Sequence, residues 1–587
     1  MRRKLSFKAV AAAALLAGTL ALCLAQAPVP GAVDYLIRPG LRGAAGGHLI
    51  ASISADPATF NRLFASGRAN ALVADQLCAD LVHINRQTYE LEPALAARWE
   101  TAPDGRTYTV HLRRGLKFSD GSPFTADDVI FTLEALQDPK SESTIADQLR
   151  VDGKFPAVAR LDNTTVRIIL PRPVGTGLRA FDSIPILPRS RLLKAYQSGT
   201  LSQAWGPTAD PAEIAGLGPF RLKEYQRGVR VVLERNPHYW KKDGAGQTLP
   251  YLDRLTFLVV PDRNAEALRF EAGELDVLID MGPENFARLR RSSRAADLSI
   301  LDLGPGLGMD FLWFNLNPGK KPSGAPWVDP EKQSVFLQAG FRRAVSLALD
   351  RAGISRSVFL GLGTPQFGPV SSGNKAWYSL PAAPQAYDPA QARSLLAHIG
   401  LKAGGDGILR FGARSRPFDL VLLTAKGNAA RERSAEIIRQ NLAAVGMRVS
   451  IQVLPPAELA GRFLSASDYE AILFGLTPTD IVPDLQTDLW YSSGRFHFWN
   501  PNQSRPGTPW EAEMDALIGK MVQSPDPQAR KQAFNQVQAI WAQEMPAVAT
   551  VAPNILCGWR RVVGNVRPSI MVPYLLWNTE ELTRHER

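Results

Sequence analysis

Apolar side chains recur along the chain with two periods, and each predicts an element. Tyr108, Val110 and Leu112 alternate with Thr109 and His111, the two-residue period of a half-buried strand, and Pro103-Asp104-Gly105 supplies a turn before it. A hairpin is predicted there. After a second turn, Phe118-Ser119-Asp120-Gly121, the residues Val129, Ile130, Leu133 and Leu136 keep the spacing of one helix face. Thr125 is placed to cap that helix, and Asp127 and Asp128 lie in its first turn, where the positive helix end favours carboxylates.

Farther along, Asp388-Pro389 opens a helix with an N-cap carboxylate and proline at the first helical position. Ala392, Leu395, Leu396 and Ile399 share its face, and Gly400 ends it. A strand over 418–424, a helix over 429–445 stopped by Gly446, and the alternating Met447, Val449, Ile451 and Val453 predict a βαβ crossover. Hairpins and crossovers in one chain imply an α/β fold of mixed sheets covered by helices. No internal repeat or low-complexity tract interrupts it.

With 587 residues, 45% of them hydrophobic and 21% charged, the composition is that of a globular protein. One hydrophobic core stops growing near roughly 250–300 residues, so two large lobes or three domains are expected, with a cleft between them. Arg2, Arg3, Lys4 and Lys8 precede an apolar run from Ala9 to Ala25, the pattern of an export signal. Cleavage after Ala25 and after Ala27 both fit. An uncleaved anchor helix and a lipid tether at Cys23 remain as alternatives, although Leu22 is larger than the residue that usually precedes a lipidated cysteine. Residues 28–47, rich in Pro, Gly and Ala, read as a linker.

The net charge is +11, and about +7 remains once the four cations of the signal are set aside. Nucleic-acid binding would require a basic stripe and a binding module, and neither is present: Arg113-Arg114 and Arg342-Arg343 are interspersed with carboxylates. Catalysis would require a constellation. There is no H-E-x-x-H, P-loop, EF-hand loop or G-x-S-x-G elbow, and the run from Gly304 to Gly308 lacks dinucleotide spacing because Met309 stands where the third glycine is needed. That run is expected to be a connection. The seven histidines, at 48, 83, 111, 238, 398, 497 and 585, never fall three to five residues apart, so no local metal site is expected. Beyond the signal only Cys78 and Cys557 remain, too few for a disulfide framework; whether they pair is left open.

Several short blocks occur in order: Glu92-Pro93-Ala94-Leu95-Ala96, Arg98-Trp99-Glu100, Asp104-Gly105-Arg106-Thr107-Tyr108, Leu112-Arg113-Arg114-Gly115, Lys117-Phe118-Ser119-Asp120-Gly121 and Thr125-Ala126-Asp127-Asp128-Val129. Together they closely resemble the signature of the family 5 extracellular solute-binding proteins, which serve oligopeptide, dipeptide and nickel importers. Gly216-Leu217-Gly218-Pro219-Phe220, Asn236-Pro237-His238-Tyr239-Trp240, Gly273-Glu274-Leu275-Asp276, the stretch from Phe341 to Arg351, and Tyr387-Asp388-Pro389 extend the resemblance over nearly the whole mature chain.

The resemblance implies a two-lobed periplasmic-binding-protein-like fold (type II, large three-domain variety) with mixed sheets and a hinged cleft. The expected division is a signal at 1–25, a linker at 26–47, lobe I at 48–305 with an extra subdomain at about 86–205, lobe II at 306–552, and a return to lobe I at 553–587. Hinge strands are expected near 303–310 and 551–557. The implied function is capture of a peptide or small polar solute outside the cytoplasmic membrane, in the periplasm or its equivalent, and delivery to a membrane ABC permease. The chain is expected to act as a monomer, without catalysis, cofactor, metal or nucleic acid. A sugar, opine or metal chelate is the alternative cargo, and a secreted hydrolase or a ligand-sensing partner protein the rival class.

Peptide-binding relatives hold an extended ligand largely through its backbone, with an aspartate of a G-W-x-x-D-x-x-D-P segment on its α-amino group. The corresponding stretch here runs from Gly475 to Asp484, with Val482 where the second aspartate of that segment belongs. Asp480 is the expected amine contact and Asp484 the second, with Thr477 and Thr479 beside them. A turn or cap is the competing role for Asp480. Trp490, with Tyr491 and Trp499, is expected either to wall the pocket or to pack in the core. Ser66 and Gly67 are placed where the first lobe would contribute backbone contacts.

Overall fold

The computed structural model describes residues 33–141, 143, 145–321, 323–379 and 386–585. The expected signal and Cys23 lie outside them. No helix among the described residues is long and apolar enough to cross a membrane.

The predicted hairpin is present: Ala96–Thr101 pairs antiparallel with Thr107–Leu112, whose Tyr108, Val110 and Leu112 are buried. Thr165–Ile169 and Ala157–Asp162 complete a four-stranded antiparallel sheet. Against it lies the helix Ala126–Gln137, begun by a capping box in which Asp128 accepts the Thr125 N–H at 2.8 Å. Asp128 also accepts the Arg189 N–H at 2.9 Å, so one buried carboxylate fixes the start of two helices. Asp127 faces outward to Arg160 at 3.2 Å. The acid pair is thereby divided between a cap and a surface ion pair.

A second sheet has the order His48–Ile53, Arg254–Val259, Arg230–Arg235, Phe220–Gln226, with the first pair parallel and the others antiparallel. Part of the expected linker is structured. Leu36–Arg38 pairs in parallel with Lys241–Asp243, and Arg38 meets Glu92 and Glu581, each at 3.1 Å. Three strand residues are too few to show a period, and their partner is remote in sequence.

The βαβ crossover is formed by Asp419–Ala425, the helix Ala429–Ala443 and the parallel strand Arg448–Leu454. The five-stranded sheet runs Arg448–Leu454, Asp419–Ala425, Ala471–Leu476, Met309–Phe314, Ala547–Ala549. Because Arg448–Leu454 is an edge, its alternation yields only half-buried Val449 and Ile451, and Val453 is exposed. The helix Pro389–His398 starts as predicted, with Asp388 accepting the Gln391 N–H at 2.8 Å; Ala392 and Leu396 are buried, and Gly400 follows with φ +93°. Two arginines of the stretch from Phe341 to Arg351 are internal. Arg342 donates to the carbonyls of Phe336, Glu544 and Met545 at 2.6–3.1 Å, and Arg351 to those of Ser346 and Ala549 at 2.8–2.9 Å.

These elements enclose two large cores. The first takes residues from Leu41 to Ile279 and from Ile555 to Leu582; the second takes Leu307 to Ala552 together with Ile84 and Met571. The architecture is therefore an α/β pair of lobes with mixed sheets. Among the described residues the chain passes between the bodies twice. Gly306-Leu307-Gly308 joins Leu298–Pro305 to Met309–Phe314, and Thr550 joins Ala547–Ala549 to Val551–Arg560. The run expected to be a connection is one from Gly306 to Gly308, while Gly304 and Pro305 end the preceding strand. The two crossings are antiparallel neighbours, since Leu298–Pro305 pairs with Val551–Arg560 and Met309–Phe314 with Ala547–Ala549. Gly308 has to be small, because a Cβ there would lie 2.4 Å from Thr477 Oγ1. Cys78 and Cys557 are both buried and free.

Candidate functional site

The facing surfaces of the lobes carry buried charges arranged in pairs. On lobe I, the short turn Gly177–Phe181 is anchored in the first core by Leu178 and Phe181, which frame Arg179. On lobe II, the chain leaving the strand Ala471–Leu476 runs through Asp480 to the turn Pro483–Gln486. Arg179 meets Asp480 as a fork, Nε to Oδ2 at 2.5 Å and Nη2 to Oδ1 at 2.7 Å, and its remaining nitrogen donates to the Tyr89 carbonyl at 2.7 Å. The two residues are 8% and 4% exposed. Asp480 also accepts the Ile481 N–H at 2.6 Å.

A second pair lies beside the first. Arg530, on the helix Pro527–Glu544, meets Asp484 at 2.8 and 3.1 Å and reaches across to the Gly175 carbonyl at 3.4 Å. Burial holds the Asp484 carboxyl above the ordinary aspartate range although Arg530 opposes this, and the nearby Asp480 adds to the rise. The backbone closes the contact: the Gly175 N–H donates to the Val522 carbonyl at 2.7 Å. Here the side chain must be absent, because a Cβ on Gly175 would fall 2.0 Å from the Ser524 carbonyl oxygen.

Behind this contact, within lobe I, Asp182 binds Arg86 at 2.8 Å and accepts the Ile84 N–H at 2.7 Å. Burial alone would raise the Asp182 carboxyl, but Arg86 and His83 bring it below its usual value; Asp80 is raised by burial and by Asp182. Asp80, His83 and Asp182 place ligand-type atoms within 4.8 Å of one another. A divalent ion there would confront the Arg86 guanidinium that already neutralises Asp182, so the donor set fits an internal charge network better than a metal. A cavity of about 110 Å³ adjoins this network, lined by Asp80, His83 and Arg86 and by the ion pair Lys241–Glu580.

Of the residues singled out from the sequence, Asp480 and Asp484 lie in this contact, each on an arginine. Thr477 and Thr479 are exposed on either side of Pro478. Trp490 is 2% exposed, donates to the Pro483 carbonyl at 3.2 Å and packs edge-on against Phe534 and Trp541. It also borders a cavity of about 30 Å³ shared with Pro478, Ile481 and Asn374, room for water only. Trp499 is core, its Nε1 on Glu511 at 2.9 Å. Ser66 and Gly67 are exposed at the start of the helix Arg68–Leu77, and their carbonyls bond locally, to Asn70 and Ala71.

Sequence reasoning passed over Arg179, Arg530 and Gly175. Arg530 left a signal: the buried stripe Ala533, Phe534, Val537, Trp541 extended back one turn reaches it, and an arginine on an apolar stripe needs a partner. Arg179 left a fainter one, a single cation between core residues Leu178 and Phe181.

The model of the family described as bacterial extracellular solute-binding proteins, family 5 Middle, matches residues 90–498. Among curated proteins the chain is similar to a probable ABC transporter-binding protein of Deinococcus radiodurans, at 27% identity over 86% of this chain and 87% of the relative. It is also similar to the periplasmic alpha-galactoside-binding protein of Rhizobium meliloti, at 27% identity over 86% and 75%. The oligopeptide-binding protein AppA of Bacillus subtilis is 26% identical over 87% of each chain. AppA solved in complex with a nonapeptide superposes with a TM-score of 0.71, at 23% identity, covering 93% of this chain and 100% of that one. That likeness carries the two-lobed periplasmic-binding-protein-like fold.

Proposed function

Because the chain belongs to the bacterial extracellular solute-binding proteins of family 5, we propose that it is the capture receptor of an ABC importer: it encloses a peptide or peptide-like solute between its lobes outside the cytoplasmic membrane and presents the closed form to the permease. The observation that carries the reading is the pair of adjacent strand crossings joining two separately cored bodies whose facing surfaces hold charged and backbone groups. Such a joint lets one body rotate on the other while parting only a few side chains of lobe I, such as Ile84 and Met571, from the second core. The crossings at 305–309 and 549–551 serve as the hinge, with lobe I at 48–305 and 553–587, its extra subdomain at about 86–205, and lobe II at 306–552. In the open form Asp480, Asp484, Thr477 and Thr479 of lobe II, with Ser66 and Gly67 of lobe I, border the solute space, and Trp490 supports it from below. The receptor works as an exported monomer, without catalysis.

A non-peptide cargo is the second reading, and one feature favours it: the carboxylate suited to a peptide amino group, Asp480, is already held by Arg179. The test is to purify the mature protein without added ligand, unfold it and identify what is released by mass spectrometry. A stoichiometric set of short peptides supports the first reading. A single sugar or chelate replaces it with the second, and turnover of an ester, peptide or glycoside panel would overturn both.

A further inference from the structure

We propose that Arg179 is the resident cation of Asp480, so that this carboxylate recognises the receptor's own lobe I and excludes an ammonium group of the cargo. The inference rests on the reading that cargo is held between the lobes, and it narrows the cargo to solutes that present no free amino group at this point: amino-blocked peptides, or solutes with a neutral or anionic end.

Three observations converge. The pair is a two-bond fork that leaves neither carboxylate oxygen without a donor, and the Ile481 N–H already occupies part of Oδ1. Arg179 is not free to swing toward a solute, since its third nitrogen is held by the Tyr89 carbonyl and its turn is pinned by Leu178 and Phe181. The surrounding contact is built for close approach with nothing between: the Gly175 N–H lies on the Val522 carbonyl, and Arg530 spans from Asp484 to the Gly175 carbonyl. For an ammonium to reach Asp480 it would have to expel a guanidinium and leave it among buried groups without a carboxylate, and removing one partner of a buried pair is strongly unfavourable. A cargo lacking that ammonium meets no such obstacle.

The test is chemical rescue. Arg179→Ala leaves a guanidinium-sized space beside Asp480, and the probes are ethylguanidinium and ethylammonium at millimolar concentration, read by thermal denaturation and by small-angle scattering without cargo. The expected result is a compact wild type whose Tm neither probe raises, and an Arg179→Ala variant with a larger radius of gyration. Ethylguanidinium should restore that variant's compactness and Tm while ethylammonium does so poorly, and an Arg179→Ala/Asp480→Ala double variant should respond to neither. The proposal is overturned if Arg179→Ala stays as compact as wild type, if ethylguanidinium leaves it unchanged, or if ethylammonium gives the wild type a saturable shift that Asp480→Ala removes. Should Arg179→Ala fail to fold, the wild-type arm still decides. Trialanine and N-acetyl-trialanine sharpen it: wild type binding the blocked peptide at least as tightly as the free amine supports the inference, and a preference of about thirtyfold for the free amine, roughly 2 kcal/mol, overturns it. Release of no solute from purified receptor would count against solute capture and leave the rescue result standing.

Discussion

The Thr550 hydroxyl donates to the backbone carbonyl of Asp310 at 2.8 Å, and the Thr550 N–H donates to the same oxygen at 3.0 Å. The two strands that pass between the lobes are therefore tied together where they cross. Arg351 adds a bond to the adjoining Ala549 carbonyl at 2.8 Å. Thr550→Val keeps the shape and one of the two bonds, and is expected to lower stability by about 1 kcal/mol, seen as a reduced urea midpoint at unchanged m-value. An unchanged midpoint would show that the hydroxyl has no part in the tie.

Gly175→Ala places a methyl where the Ser524 carbonyl oxygen lies in the closed form. Its backbone lies outside the left-handed region, so the substitution strains the closed contact and not the chain. The variant is expected to fold with wild-type secondary structure, to show a larger radius of gyration, and to bind released native cargo at least tenfold more weakly. Wild-type scattering would mean the contact tolerates a side chain.

Glu511 accepts from Trp499, Gln503, Gly507 and Thr508 at 2.9–3.0 Å, with His497 at 3.4 Å. Burial would raise its carboxyl, but these donors bring it down to about 2. A depressed carboxyl contributes stability that is complete above its unfolded value and is lost as pH falls toward the folded one. Glu511 should thus contribute about 3 kcal/mol at neutral pH and lose it between roughly pH 4.5 and 2. Glu511→Gln is expected to lower neutral stability and to flatten the urea midpoint over that acid range; an unaltered slope would place the acid sensitivity elsewhere.

Arg342 joins the helix Ala339–Ala348 to the carbonyls of Phe336, Glu544 and Met545. Arg342→Met fills the volume but leaves those acceptors unpaired, with an expected loss of about 3 kcal/mol or more, read by denaturant titration. A loss below about 1 kcal/mol would mean that water replaces the guanidinium.

Burial pushes the Cys78 and Cys557 thiols up to about 12. Neither is expected to take up iodoacetamide at pH 8 within hours, and both should be labelled at once in denaturant. Rapid native labelling of Cys557, 0% exposed, would place it outside the core.

Signals confined to a few neighbouring residues were legible in the sequence. The alternation from Tyr108 to Leu112, the Thr125–Asp128 cap and the Asp388-Pro389 start each express an interaction completed within a turn or a strand. Arg448–Leu454 was legible as a strand but not as an edge, because edge position depends on which other strands join the sheet. Leu36–Arg38 was missed for the same reason. Asp480 and Asp484 are reached through the resemblance of 475–484 to the aspartate segment of peptide receptors, yet their arginines are not: Arg179 is 301 residues from Asp480, and only the folded chain sets them face to face. The ion pair is a property of two lobes, and the alternation a property of one strand.

The first core draws Tyr574, Leu575, Leu576 and Leu582 from the end of the chain, whereas the second, Met571 apart, closes with Ala552. The order in which the two bodies become complete is therefore the reverse of their order of appearance. Lobe II possesses every residue from Leu307 to Ala552 of its interior while lobe I still waits for its last apolar side chains, so a chain cut short near Ala552 would spare the later lobe and leave the earlier one open.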